Sequence, residues 1–179
     1  MSDAERPTAG LRGAYRDVLR DPQGQVVWER GWRPNAIVGD CRRLLASFLR
    51  GAPAANGLIG LQVGVGSEGW DAGGTPASTS AQVKLVDPNP YLLDASKLQI
   101  SFLDGSTITS APTNKLQIQA NLGPQAPNWP DGNHPTGNLR EFGLVARLDG
   151  ATVLINYVTH PIIAKDPAST LERTVWLTF

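Results

Sequence analysis

A chain of 179 residues, 41% hydrophobic and 18% charged, is long enough for one domain with its own core. Its sixteen basic and sixteen acidic side chains cancel, which argues against a nucleic-acid protein and weakens any electrostatic attachment to an anionic membrane. The single cysteine, Cys41, excludes an intrachain disulfide, the polar start MSDAERPTAG lacks the apolar core of a signal peptide, and no run approaches the ~20 apolar residues of a membrane span.

Residues 1–10 read as a flexible N-terminal arm, and 11–179 as one domain. Gly13–Arg20 and Gln25–Trp32 flank Asp21-Pro22-Gln23-Gly24. Asp first, Pro second and Gly fourth is type I turn chemistry, so this stretch is expected to be a hairpin. Ala36–Arg50 carries Ile37, Val38, Cys41, Leu44, Leu45, Phe48 and Leu49 on one helical stripe, with Asn35 expected as N-cap and Gly51 as the stop. Cys41 lies on that stripe and reads as a small buried hydrophobe. Gly57–Gly66 alternates Ile59, Leu61, Val63 and Val65 with a face of mostly glycine, the pattern of a strand closely approached by another element. Residues 67–82 form a long loop of small residues whose large group is Trp70, followed by a short strand or turn at Val83–Val86.

Lys97–Leu103 leads through Asp104-Gly105 into a second short strand, and Asn114–Ala120 alternates Leu116, Ile118 and Ala120 inward with Lys115, Gln117 and Gln119 outward. Gly123–Asn138 is a second long loop, with Trp129 expected to be exposed in it. In the C-terminal block, Leu139–Arg147 and Thr152–Thr159 flank Asp149-Gly150, a strong hairpin signal because both residues tolerate positive φ. Thr152–Thr159 is apolar on both faces and is expected to be central, with His160-Pro161 ending it. Thr170–Phe179 places Leu171, Val175, Leu177 and Phe179 on one face, interrupted by Arg173. Leu-Asp-Gly-Xaa-Thr occurs at Leu103–Thr107 and Leu148–Thr152, read as repeated hairpin chemistry. The fold class that follows is mainly β: an antiparallel β-sandwich with one amphipathic helix packed on it.

Catalytic patterns are sparse. Gly64-Val65-Gly66-Ser67-Glu68-Gly69 has the spelling of a dinucleotide fingerprint, but the following residues do not read as the helix that would place amides on phosphate. The two histidines, His134 and His160, give no zinc spacing with Cys41, and no Gly-x-Ser-x-Gly elbow presents a serine. Glu68 with Asp71, and Asp87 with Asp94, are acidic pairs in turn-rich sequence where Asp serves loops. No cofactor or metal is expected, nor enzymatic activity. Arg140-Glu141 inside an apolar strand reads either as an ion pair at an edge or sheet surface, or as a polar lock between subunits. Trp70 and Trp129 read as a sugar-stacking platform, as contacts to a neighbouring chain, or as caps on the sandwich ends.

Asn35-Ala36-Ile37-Val38 before the helix, Ile59–Gly66 ending in Gly-Val-Gly, Leu139-Arg140-Glu141-Phe142-Gly143-Leu144, and the later Ile155-Asn156, His160 and Ile163-Ala164-Lys165 together resemble a pattern in tailed-phage virion proteins. It is similar to the attachment regions of tail-fibre and collar-type proteins and of phage-derived contractile particles, over most of residues 32–179. The acidic-arginine segment of that pattern has no clear counterpart near Leu85–Asp94. The resemblance implies a non-enzymatic virion protein, assembled in the host cytoplasm, that forms homo-oligomers and docks other tail, neck or capsid proteins. No nucleic-acid or membrane partner is expected. Tyr15, Trp28, Trp32, Trp70, Trp129, Arg140 and Glu141 are the candidate subunit contacts. The alternative is a carbohydrate- or receptor-binding β-sandwich module with a host glycan as partner.

Overall fold

The computed structural model describes residues 10–51 and 55–179. The expected arm therefore lies, apart from Gly10, outside the described residues. The first hairpin joins β1 (Arg12–Arg20) to β2 (Val26–Ile37). Its turn closes as the sequence suggests: Asp21 Oδ1 accepts the amides of Gln23 (2.9 Å) and Gln25 (2.8 Å), and Gly24 has φ 82°.

The helix begins later than its apolar stripe. α1 spans Gly39–Leu49, because Pro34–Ile37 continue β2 and Ala36 and Ile37 pair with Tyr157 and Asn156. Strand pairing there outweighs helix periodicity. Asn35 caps nothing; its Nδ2 donates to Ala14 O at 3.4 Å, and Val38 occupies the N-cap position with no side-chain cap bond. Gly51, with φ 75°, ends the helix as expected.

β3 (Ala55–Gly64) leads through a five-residue helix α2 (Gly69–Gly73) and a long covering loop to β4 (Tyr91–Asp94), a strand the sequence pattern does not reveal. The stretch Val83–Val86 is irregular, with bends at Lys84 and Val86, rather than a strand or turn. A short 3-10 turn at Ala95–Lys97, capped by Asp94 Oδ1 on Ser96 N (2.9 Å), carries the chain to β5 (Leu98–Asp104), β6 (Thr107–Thr109) and β7 (Lys115–Leu122). The last third is β8 (Asn138–Leu148), β9 (Ala151–Leu154), β10 (Asn156–Ala164) and β11 (Thr170–Thr178). Asp149 and Gly150 both have positive φ, 51° and 78°, at the β8–β9 turn.

All pairings are antiparallel, and the strands run in the order β4-β3-β8-β10-β2-β1-β11-β7-β5-β6, with β9 also on β8. The β2–β10 junction rests on only two residue pairs. There the sheet folds over, so that β4, β3, β8, β9 and β10 face β2, β1, β11, β7 and β5. The core between them joins Phe142, Leu144 and Leu61 of one layer to Tyr15, Ile118, Val175 and Leu177 of the other. The fold is thus mainly antiparallel β, consistent with the expected sandwich, and α1 is the one helix of seven or more residues among the described residues.

Two expectations about the C-terminal block change. Thr152–Thr159 is not one strand. It breaks at Ile155, whose N–H donates to Leu144 O (2.8 Å), while Asn156 Oδ1 accepts from Leu144 N (2.8 Å). Gly143 makes this possible: a Cβ there would stand 2.5 Å from Asn156 O. His160-Pro161 does not end the ladder either. β10 continues to Ala164 through a register shift between Thr159 and Ile163, a bulge that absorbs the proline.

Candidate functional site

The polar chemistry of the chain gathers around β8, which is buried along almost its whole length. Arg140 and Glu141 do not pair with each other and do not lie at an edge. As neighbours on a strand they point to opposite sides. Glu141 accepts the amides of Val86 (2.9 Å) and Asp87 (2.7 Å) and the hydroxyl of Tyr157 (2.6 Å). Arg140 grips Asp71 through Nε (2.8 Å) and Nη2 (2.6 Å) and donates Nη1 to Val65 O (3.0 Å). Asp87, itself buried, accepts from Val65 N (3.0 Å) and Asn89 N (2.8 Å). Adjacent residues of one strand therefore hold both ends of the loop between β3 and β4. Under that loop a second apolar cluster of Val38, Leu85, Val145, Leu154 and Tyr157 covers the outer side of β8. Arg140 holds the Asp71 carboxyl below the usual range, and burial first, then the hydrogen bond to Glu141, pushes the Tyr157 hydroxyl up.

The second long loop is anchored to the first. His134 is buried, stacked on Trp129 with ring centroids 3.8 Å apart, and its Nδ1 lies 2.8 Å from Asp131 Oδ1. Its Nε2 is 3.2 Å from Asp87 Oδ2 but is not aligned for a hydrogen bond. Trp129, expected on the surface, is 4% exposed. The reason is the stacking partner and the buried Lys165, whose Nζ donates to Gly123 O at 3.0 Å and draws the loop inward. Burial holds the Lys165 ammonium below its usual pKa.

A third cluster crosses the core. Arg173, which interrupts the apolar face of β11, lies directly opposite Asp17 of β1 in register. It donates Nε (2.7 Å) and Nη2 (2.9 Å) to the two oxygens of Asp17, both residues being fully buried, and lays its guanidinium 3.7 Å over the Phe142 ring. Nη2 also lies 3.3 Å from His160 Nε2, and His160 Nδ1 is 2.9 Å from Pro161 O. The arrangement suits a neutral imidazole that donates from Nδ1 to the carbonyl and accepts from Arg173 at Nε2. Burial first, and then the Arg173 charge, depress the imidazole pKa to about 3. The sequence signal for this cluster is Arg173 on an apolar face; its partner Asp17 lies on the inward face of β1 between Tyr15 and Leu19.

The imidazole makes stability depend on pH. Its folded pKa of about 3 lies below the ordinary 6.5. Between those values the unfolded chain binds a proton that the folded chain does not, so stability falls as pH drops through that window. A His160→Gln chain is expected to lose about one proton's worth of this slope between pH 6.5 and 4. Urea unfolding at stepped pH checks it, and an unchanged slope would disprove the assignment.

Of the candidate contact residues, Tyr15, Trp129, Arg140 and Glu141 are thus buried within the subunit, Tyr15 edge-on to Phe142 at 5.1 Å. Trp70 is half-buried against Gly66, and Trp28 is half-buried beneath the Arg30 guanidinium. Trp32 is exposed. Trp70 and Trp129 do not form a shared platform for a sugar. Cys41 is buried on α1, and burial raises its thiol to about 11. Among the described residues no three histidine, cysteine or acidic side chains are placed to hold a metal.

The chain matches no protein family, no curated protein and no solved structure.

Proposed function

We propose that this chain is a non-enzymatic structural protein of a tailed-phage virion, a tail, neck, collar or fibre component that self-assembles and docks neighbouring virion proteins. The buried histidines and acids support the non-catalytic part of this reading. His134, His160, Asp17, Asp87 and Glu141 are all engaged in holding loops and layers together through hydrogen bonds within the fold. The observation that carries the assembling part is at one end of the sandwich. Phe48 (43% exposed) and Phe179 (38%) line an apolar groove of about 190 Å³ together with Leu44, Leu45, Leu58 and Leu177, and Leu49 (91% exposed) follows Phe48 at the end of α1. Apolar groups so displayed are the usual mark of a contact surface, and symmetric self-association is the usual route to particles.

The test is the state of the chain in solution, followed by electron microscopy of the native assembly. Sedimentation velocity is expected to show an oligomer, with an interface above roughly 1,000 Å². A Phe48→Glu/Leu49→Glu chain is expected to sediment as a folded monomer. A parent chain that stays monomeric at high concentration would remove this reading.

A further inference from the structure

The outward face of the second layer carries a pattern that neither the core nor the sandwich end uses. Tyr15, Asp17 and Leu19 point inward, so Ala14, Arg16 and Val18 point out. The register places Ala14 beside Trp176 and Pro34, and Arg16 beside Thr174, then Gln119, then Gln99. Two indoles meet over the small Ala14: Trp32 from β2 lies on Trp176 from β11, ring centroids 4.1 Å apart. Trp32 follows a register shift in β2, between the pairs Tyr15–Arg33 and Asp17–Arg30, and such a bulge re-aims a side chain. Trp176 is fixed by its Nε1–H to Gln117 Oε1 (3.0 Å) and by Lys115 Nζ at 3.7 Å from its ring centroid.

Next to this pair runs an open trough of about 200 Å³, lined by Arg16, Val18 and Thr174, by the carboxamides of Gln99, Gln119 and Asn121, and by Glu172 at the end away from the indoles. Carboxamides present a donor and an acceptor side by side, which matches the vicinal hydroxyls of a saccharide. Arg16 is exposed, 5.4 Å over the Trp32 ring, and among the described residues it has no carboxylate partner. Of the acids near the far end of the trough, Glu172 is held by Arg20 at 2.9 Å, and Glu29 lies beyond Val18. Positive charge is therefore concentrated at the indole end, where a guanidinium can take a carboxylate in two parallel hydrogen bonds.

We propose that the face built by Trp32, Trp176, Arg16, Gln119, Gln99 and Asn121 binds an acidic oligosaccharide, its carboxylate on Arg16 and its hydroxyls on the carboxamides. A single-stranded nucleic acid is the less suited occupant, since the face lacks a continuous basic track and the chain has no net charge. The proposal does not rest on the virion reading, because a monomer presents the same face.

The test is calorimetric titration of the full chain with oligogalacturonate, alongside a neutral malto-oligosaccharide and an oligodeoxynucleotide of matching length. Oligogalacturonate is expected to bind about tenfold more tightly than the neutral sugar, a difference of about 1.4 kcal/mol. Arg16→Ala and Gln119→Ala are each expected to weaken it several-fold while thermal unfolding stays unchanged. No binding at millimolar oligogalacturonate, equal affinity for the neutral sugar, tighter binding of the oligonucleotide, or an Arg16→Ala chain that binds as the parent does would each overturn it.

Discussion

An Arg173→Ala chain is expected to be less stable than the parent by about 3–5 kcal/mol, the usual cost of leaving one member of a buried ion pair without the other. Asp17 would remain with neither oxygen hydrogen-bonded to the guanidinium, at zero exposure, and Phe142 would lose the cation on its face. The loss cannot be relieved by a shift of the strand, because the Asp17–Arg173 pair sits in the middle of a nine-residue ladder between β1 and β11. Urea unfolding gives the number. The double variant Asp17→Leu/Arg173→Met tells the charge effect from the packing effect. Replacing both partners with apolar groups removes the stranded charge, so most of the lost stability should return. If the single variant costs under ~1 kcal/mol, water reaches the pair and the cluster is not the sealed feature described above. One polar atom, Arg173 Nη1, has no partner, consistent with a pair whose benefit is register rather than net energy.

The second large effect is expected at Glu141. Its two oxygens take three hydrogen bonds, two from backbone amides of the covering loop and one from Tyr157. Glu141→Ala leaves those buried donors unmet, at about 1–3 kcal/mol for each that water cannot reach, so a total near 3 kcal/mol is expected. The effect should be local as well as global. Amide exchange at Val86 and Asp87 should speed up strongly, and proteolysis should find the segment between β3 and β4 first, while β1, β7 and β11 keep their protection. A uniform loss of protection across the sandwich would mean that Glu141 supports the core rather than the loop. Glu141→Gln keeps the shape and one acceptor, and should recover part of the effect.

Much of this architecture is legible in residue order because its causes are local. Asp21-Pro22-Gln23-Gly24 and Asp149-Gly150 make their turns because the φ values those turns need are open to these residues, whatever surrounds them. The alternation along Lys115–Leu122 and Thr170–Thr178 assigns an inner and an outer face because a strand repeats every two residues. The one amphipathic helix announces itself from Cys41 to Phe48 by its 3.6-residue period. Even the candidate face with Trp176, Gln117 and Gln119 could be listed as outward from spacing alone.

What order does not contain is which strand lies beside which. Asp17 and Arg173 are 156 residues apart, and only the β1–β11 register makes them partners. Arg140 and Glu141 look like a pair because they are adjacent; the pleat sends them to opposite sides, and loops 69 and 54 residues distant supply their true partners. Trp129 looks exposed because its neighbours are Pro, Gly and Asn, yet His134 and Lys165 bury it. Helix periodicity claimed Ala36 and Ile37 until pairing with β10 claimed them instead. In each case a free energy of a fraction of a kcal/mol per residue, local propensity, gave way to burial and hydrogen bonds set by contacts far away in the chain.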